Sequence, residues 1–255
     1  MSKEIAEKKT ALAIVSSFEE DASAGGFAGM SQEDLALPFL KILTNMSPEI
    51  GEVDGASPGM LYNSVTGELY DGKQGVVVIP CAYVRQYIEW SPRGSGSGAP
   101  VAIHPATSDI LTRTHREPGE SKDYLDNGNY IENTANHYVM VIDKQGVPSP
   151  ALIVMKSTQL KKSRKWNSMM MSVKLQGANG LYTPPMFSQQ YRLTVASESN
   201  DRGKWHGWEI ERIGSVEDIG TYRSAKSFAE SIQAGQVTVK HESDKAKGED
   251  THDHF

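Results

Sequence analysis

Residues 151–177 read ALIVMKSTQLKKSRKWNSMMMSVKLQG, and the reading of this stretch decides the fold. Residues 151–155 are an apolar run of strand length. Ser157 or Thr158 is placed to cap a helix, and Gly177 to end it. Inside the helix, Trp166, Met169 or Met170, and Val173 recur at helical spacing on one face. Lys161, Lys162 and Lys165 fall on another face. A strand that runs into an amphipathic helix is common, so its meaning comes from the elements on either side.

Upstream, residues 76–90 (VVVIPCAYVRQYIEW) form a long β-rich run in which Pro80 marks a bulge or an edge. Residues 61–70 alternate about a Thr-Gly turn and predict a hairpin. Residues 35–46, broken by Pro38, read as a short buried segment that opens the domain. Residues 137–142 pair with 151–155 across the turn at 143–146. Residues 94–98 are a glycine-serine run, and residues 99–135 are polar and turn-rich. They read as an excursion from the core, of the kind used for functional loops or left disordered. Downstream, residues 187–196 and 205–213 are strands joined by a polar turn, and 216–233 repeat an apolar helical face that Gly235 stops.

The expected fold is mainly β with added helices: an OB-like β-barrel, a helix between strands three and four, a C-terminal helix and a disordered tail. A different partly open barrel or a small sandwich gives the same string of elements. The expected organisation is an N-terminal helix and flexible linker at 1–34 and an OB-like DNA-binding domain at 35–214 with its loop excursion at 94–135. The C-terminal helix follows at 215–235 and the tail at 236–255.

Composition narrows the function classes. The chain has 255 residues, 38% hydrophobic and 23% charged, enough for a globular core. No stretch approaches the ~20 apolar residues that span a bilayer, and the N-terminus lacks the pattern of a signal peptide. One cysteine, Cys81, excludes a disulfide framework and a cysteine-rich zinc site, and its β-rich setting predicts a buried thiol. The expected location is the cytoplasm. The net charge of −6 argues at first against nucleic acid. Its distribution reverses that. Residues 144–197 contain no acid and eight bases: Lys144, Lys156, Lys161, Lys162, Arg164, Lys165, Lys174 and Arg192. A segment of one sign makes a positive local field whatever the global sum, and a polyanion answers it.

The candidate DNA-binding residues follow from that field. Lys161, Lys162, Arg164 and Lys165 can neutralise phosphates, and the adjacent indole of Trp166 offers a face for a base. Tyr83, Arg85 and Tyr87 alternate on one strand face, as a sheet-borne platform needs. Arg192, Lys204 and Trp205 add further cation–aromatic neighbours. The competing reading places most of these rings in the core, and for Trp166 the core is favoured. A second signal is the end of the chain, where Glu249, Asp250 and Asp253 precede a terminal Phe255. A ring and a carboxylate on an acidic tail suit a pocket with a basic rim on a protein partner.

Enzyme signatures are missing from the sequence. His104, His115, His137 and His206 are scattered, and no HExxH, GxSxG or phosphate-binding glycine loop occurs. Asp123, Asp126 and Glu132 leave a magnesium nuclease open, since such ligands need not be close in sequence. No cofactor or metal site is expected.

The stretches LPFLKILTNMSPEIGEV, LYNSVTGELY and VVVIP, together with STQLKKSRKWNSMM, YTPPMFSQQYRLT and SNDRGKWHGWEIE, resemble tailed-phage single-stranded DNA-binding proteins, as does the tail ending in Phe255. The resemblance covers roughly residues 35–213 and the tail. It implies an OB fold, sequence-tolerant binding of single strands through basic and aromatic residues, and tail contact with replication or recombination proteins. This tail departs from the pattern in being only mildly acidic, because Lys240, Lys245 and Lys247 are mixed with its five acids. The expected function is coating and protection of single-stranded DNA. The alternatives are a DNA recombination or magnesium-dependent nuclease enzyme and a phage structural protein.

Overall fold

β-Branched and aromatic residues dominate the run that becomes the spine of the sheet, strand β4 (Val76–Trp90). The computed structural model describes residues 17, 18, 21, 25–27, 29, 30, 34–92, 94, 95, 98–118, 122–201, 203–237 and 239. The chain divides into two units, Met1–Ala36 and Leu37–Phe255. The expected N-terminal helix falls almost wholly outside the described residues, as do the tail residues from 240 onward.

In the second unit, β1 (Leu40–Ile42), β2 (Leu61–Asn63) and β3 (Leu69–Tyr70) make a small antiparallel sheet. The Asn63 side chain closes its turn by accepting from the backbone N–H groups of Val65 and Thr66. Strand β4 then enters the main sheet with β5 (Ala102–Pro105), β6 (Asp123–Tyr124), β7 (Tyr130–Ile142) and β8 (Pro148–Lys156). Helix α1 (Leu160–Ser172) follows β8 through a short 3-10 turn. A two-stranded hairpin of β9 (Leu175–Gly177) and β10 (Gly180–Tyr182) comes next. The long hairpin of β11 (Gln189–Asn200) and β12 (Gly203–Ser215) completes the sheet, and α2 (Ile219–Gln233) ends the order.

The main sheet runs β12-β11-β4-β7-β6, with β5 added to β4 and β8 added to β7. The expected irregularity at Pro80 is present: the β4–β7 register shifts between Pro80 and Ala82, where proline cannot donate to the ladder. Among the long strands, β4, β7 and β8 form an antiparallel meander. Helix α1 sits between the third and the fourth, and β11 returns beside β4.

The sheets do not close into a barrel. Single contacts link them instead of ladders. Phe39 bridges Leu152 in parallel, and the Leu152 N–H donates to the Pro38 carbonyl at 2.8 Å. At the other end the Val195 N–H of β11 donates to the Gly72 carbonyl at 2.7 Å. Gly72 is glycine for a steric reason: a Cβ there would stand 1.9 Å from the Gly59 carbonyl oxygen.

The two faces of the sheet feed two apolar clusters, because alternate residues of a strand point to opposite sides. Val139 and Val141 join Leu40, Leu61, Ile153, Trp166, Tyr191 and Trp208 on one side. Tyr138 and Met140 join Ile79, Cys81, Leu152 and the inner residues Ala225 and Phe228 of α2 on the other. Asp218 caps α2 by accepting from the Thr221 N–H at 2.6 Å. Cys81 is buried, as expected, and burial pushes its thiol up to about 12.

Four expectations need correction. Residues 94–135 are not a structureless excursion: they hold β5, β6, the start of β7 and a 3-10 turn at Ile110–Arg113. Their few apolar residues, Ile110, Leu125 and Ile131, gather on Tyr87 as a third cluster. Helix α1 stops at Ser172, before Gly177, which belongs to β9. No side chain caps its N-terminus, although Ser157 and Thr158 were placed to do so. The tail does not begin at 236, because Val237 and Val239 pack on the α2 cluster.

Candidate nucleic-acid interface

Helix α1 carries the densest group of cations, and its packing decides which of them face solvent. Ser163, Trp166 and Met170 form the buried face. Lys161, Arg164 and Lys165 are exposed, and none of the three makes an ion pair among the described residues. Lys161, Arg164 and Lys165 lie three and four residues apart, so they are neighbours on one helical surface.

A ladder of rings anchors this helix. The His137 ring stacks on Trp166 at 4.5 Å and 20°. Tyr83 lies 5.0 Å from His137 on one side, and Tyr191 meets Trp166 edge-on at 5.7 Å on the other. His137 Nε2 hydrogen-bonds Ser163 Oγ at 2.8 Å, which ties the helix to β7. Burial pushes the imidazole down to about 3, so the ring is neutral at physiological pH. His137 Nδ1, Trp166 Nε1 and Tyr191 Oη have no hydrogen-bond partner among the described residues.

This packing corrects several sequence-derived assignments. Trp166 is 0% exposed and cannot stack on a base from this position. Its indole is the keystone under α1. Tyr87 is 6% exposed beneath the third cluster, with the Arg85 guanidinium 5.7 Å from its ring centre. Tyr83 is half-buried at the outer end of the ring ladder, and only Arg85 of the expected platform is exposed. Tyr83, Val84, Arg85 and Gln86 line an open groove of about 490 Å³ with Pro105, Ala106 and Thr107, where the edge of β4 passes from β11 to β5.

Lys162, also in the expected set, differs from its neighbours in being ion-paired. Its ammonium is 2.6 Å from Glu198 and 2.5 Å from Glu209, on β11 and β12. The Lys162 hydrogen bond holds the Glu198 carboxyl below its ordinary range. The acid-free window ends at 197, and the fold turns the first acid beyond it onto the helix. Trp205 is half-buried and donates Nε1–H to Glu198 at 2.8 Å, so it belongs to the same network. Arg192 and Lys204 are exposed. Arg192 alternates with buried Tyr191 and Leu193, so it lies on the sheet face opposite Trp166.

One further contact has no sequence signal. The Gln159 side chain accepts from the Trp208 N–H at 3.1 Å, so a residue of the turn before α1 occupies the outer edge of β12. Sequence reasoning also passed over the β9–β10 hairpin, where Leu181 and Tyr182 are exposed. The Gly-Ala-Asn-Gly run at its turn, residues 177–180, was the available signal.

The carboxylates that left a nuclease open are engaged elsewhere. Asp123 accepts from Arg116 at 2.7 Å, Asp126 lies 3.8 Å from His115 Nδ1, and Glu132 lies 3.4 Å from Lys156. No group of three or more His, Cys, Asp or Glu side chains is arranged for a metal ion among the described residues. No helix among them is long and apolar enough to cross a membrane. The expected partner-binding residues Glu249, Asp250, Asp253 and Phe255 lie outside the described residues.

A family model described as Pam3 phage gp34-like protein matches residues 7–238. The chain therefore belongs to that family, which carries a phage association in its description. No curated protein and no solved structure matches the chain.

Proposed function

We propose, with that phage membership as premise, that the chain binds single-stranded DNA as a non-enzymatic coating protein of the OB-like class. The observation that carries the reading is the outer face of α1. Three cations, Lys161, Arg164 and Lys165, stand there without an ion pair among the described residues, on a helix whose other face is locked by Trp166 and His137. A rigid row of cations holds phosphates without ordering long side chains from scratch. The strand order supports the same class: a three-strand meander, a helix, then a hairpin whose first strand returns beside the spine. At the outer edge of β12 the Gln159 side chain, not a further strand, takes the Trp208 N–H.

Binding of oligo(dT) and of duplex DNA, measured at several salt concentrations with and without magnesium, tests the reading. Wild type should prefer the single strand, leave it uncut with magnesium present, and weaken with salt. The triple variant Lys161→Ala, Arg164→Ala, Lys165→Ala should flatten the log–log salt slope by about 2, at ~0.7 per phosphate contact. Wild-type affinity and slope in the triple variant would remove α1 from the site. Magnesium-dependent cleavage would replace the reading with the nuclease.

A further inference from the structure

We propose that the β9–β10 hairpin carries the base-stacking surface of the interface, with Tyr182 as the stacking ring. This rests on the single-strand reading of α1 and assigns the other half of the ligand to a different element. Of the rings first expected to stack, Trp166 and Tyr87 are sealed in the core and Tyr83 and Trp205 are half-buried, so the bases need a more open apolar surface. The hairpin that follows α1 supplies one: Tyr182 is 48% exposed and Leu181 71% exposed.

Tyr182 is held and not merely left outside. Gly177, across the hairpin, has an ordinary backbone conformation, so no turn requires glycine there. A Cβ at Gly177 would stand 3.2 Å from both Cδ1 and Cε1 of Tyr182. The bare backbone at Gly177 therefore makes room for one side of the ring. A ring supported in this way pays less side-chain entropy when a ligand stacks on it. Below it, Lys174 donates to Thr183 Oγ1 and ties the chain entering the hairpin to the chain leaving it.

Charge selects the occupant. The hairpin lies inside the segment 144–197, which has no acid. Lys174 is exposed at its base, and the cations of α1 precede it in the chain. A ligand with a flat apolar face and a row of negative charges fits this combination, and a nucleobase on its phosphodiester backbone has both. Stacking of this kind is insensitive to base identity, since every base has a π-face.

The test compares oligo(dT) with an equally long abasic oligonucleotide on the full chain. Tyr182→Ala should weaken oligo(dT) binding about ten-fold and leave abasic binding unchanged. Tyr182→Phe keeps the ring and should bind as wild type. Gly177→Ala, which crowds the ring, should fall between the two. Ultraviolet cross-linking of a bromodeoxyuridine oligonucleotide should map to Tyr182.

Wild-type oligo(dT) affinity in Tyr182→Ala would overturn the stacking assignment while leaving the α1 reading intact. Equal losses on both oligonucleotides would do the same, because the residue would then act through fold or charge. A wild-type protein that bound neither oligonucleotide would remove both readings. Sedimentation showing a dimer that Tyr182→Ala dissolves would give the hairpin to a second copy of the chain.

Discussion

Trp166 and Tyr182 belong to the same acid-free segment, each with cations nearby, and the structure gives them opposite fates. Trp166 is sealed between His137 and Tyr191, while Tyr182 stands open on a two-stranded hairpin. The difference comes from the elements that carry them. On an amphipathic helix, a tryptophan one position after a lysine points about 100° away from it, toward the apolar face. On the short β9–β10 hairpin the aromatic remains half-exposed at the surface. Adjacency to lysines in sequence therefore does not mark a stacking ring.

The largest test of this contrast is stability. Trp166→Ala should cost about 3–5 kcal/mol, because the cavity sits in the main apolar cluster where β7 and α1 meet. Chemical denaturation would read it. Tyr182→Ala should change stability by less than about 0.5 kcal/mol, as surface substitutions do. Comparable losses for the two would break the contrast between keystone and platform.

The ring ladder should also respond to acid. His137 is held neutral by burial, with its ionisation pushed down to about 3 from its ordinary value near 6.5. Between those values the unfolded chain binds a proton that the folded chain refuses, so stability present above pH 6.5 is lost as pH falls toward 3. Denaturation midpoints should decline over that window. In His137→Phe, which keeps a ring against Trp166, the decline should be shallower. An unchanged acid slope would show that the carboxylates alone carry the acid response.

A smaller effect separates the cations of α1. Removing Lys162 leaves Glu198 and Glu209 facing each other without their shared counter-charge. Lys162→Ala should cost about 1 kcal/mol, discounted for partial solvent exposure, and should not flatten the salt slope of DNA binding. Lys165→Ala should do the reverse. If Lys162→Ala flattened the slope as much as Lys165→Ala, the ion-pair network would not be keeping Lys162 from the ligand.

The most local effect belongs to Gln159. Its replacement by Ala frees the Trp208 N–H at the edge of β12 and should cost about 1 kcal/mol. Faster hydrogen exchange of that amide is the direct measurement. Slow exchange in Gln159→Ala would show that something besides this side chain covers the edge.

Much of the fold was legible because local patterns carried it. The long β-rich run at 76–90 became β4 with its irregularity at Pro80, and Trp166 and Met170 of α1 and Ala225 and Ala229 of α2 face inward as their spacing required, although Ile219 is exposed. The region 94–135 was misread for a physical reason. Its strands are only two to four residues long before β7, too short for a period of two to show, and their order comes from pairing with β4 and β7. The site was legible in part. Lys161, Arg164 and Lys165 came from composition, since an acid-free window is visible along the chain. Lys162 was indistinguishable from them, because its partners are acids that only the β11–β12 hairpin brings near.

The sequence by itself determined a mainly β chain with a basic helix after its third long strand, and a buried lone thiol. Those follow from hydrophobic periodicity and residue type, which act over a few neighbours. Tertiary structure alone decided which rings are core and which are open, which lysine is neutralised, that the sheets meet through single contacts, and that the Gln159 side chain meets the edge of β12. Each of these depends on residues far apart in the chain, such as His137 with Trp166 or Gln159 with Trp208. Burial and ion pairing are properties of the assembled surface, and no window of sequence contains both partners.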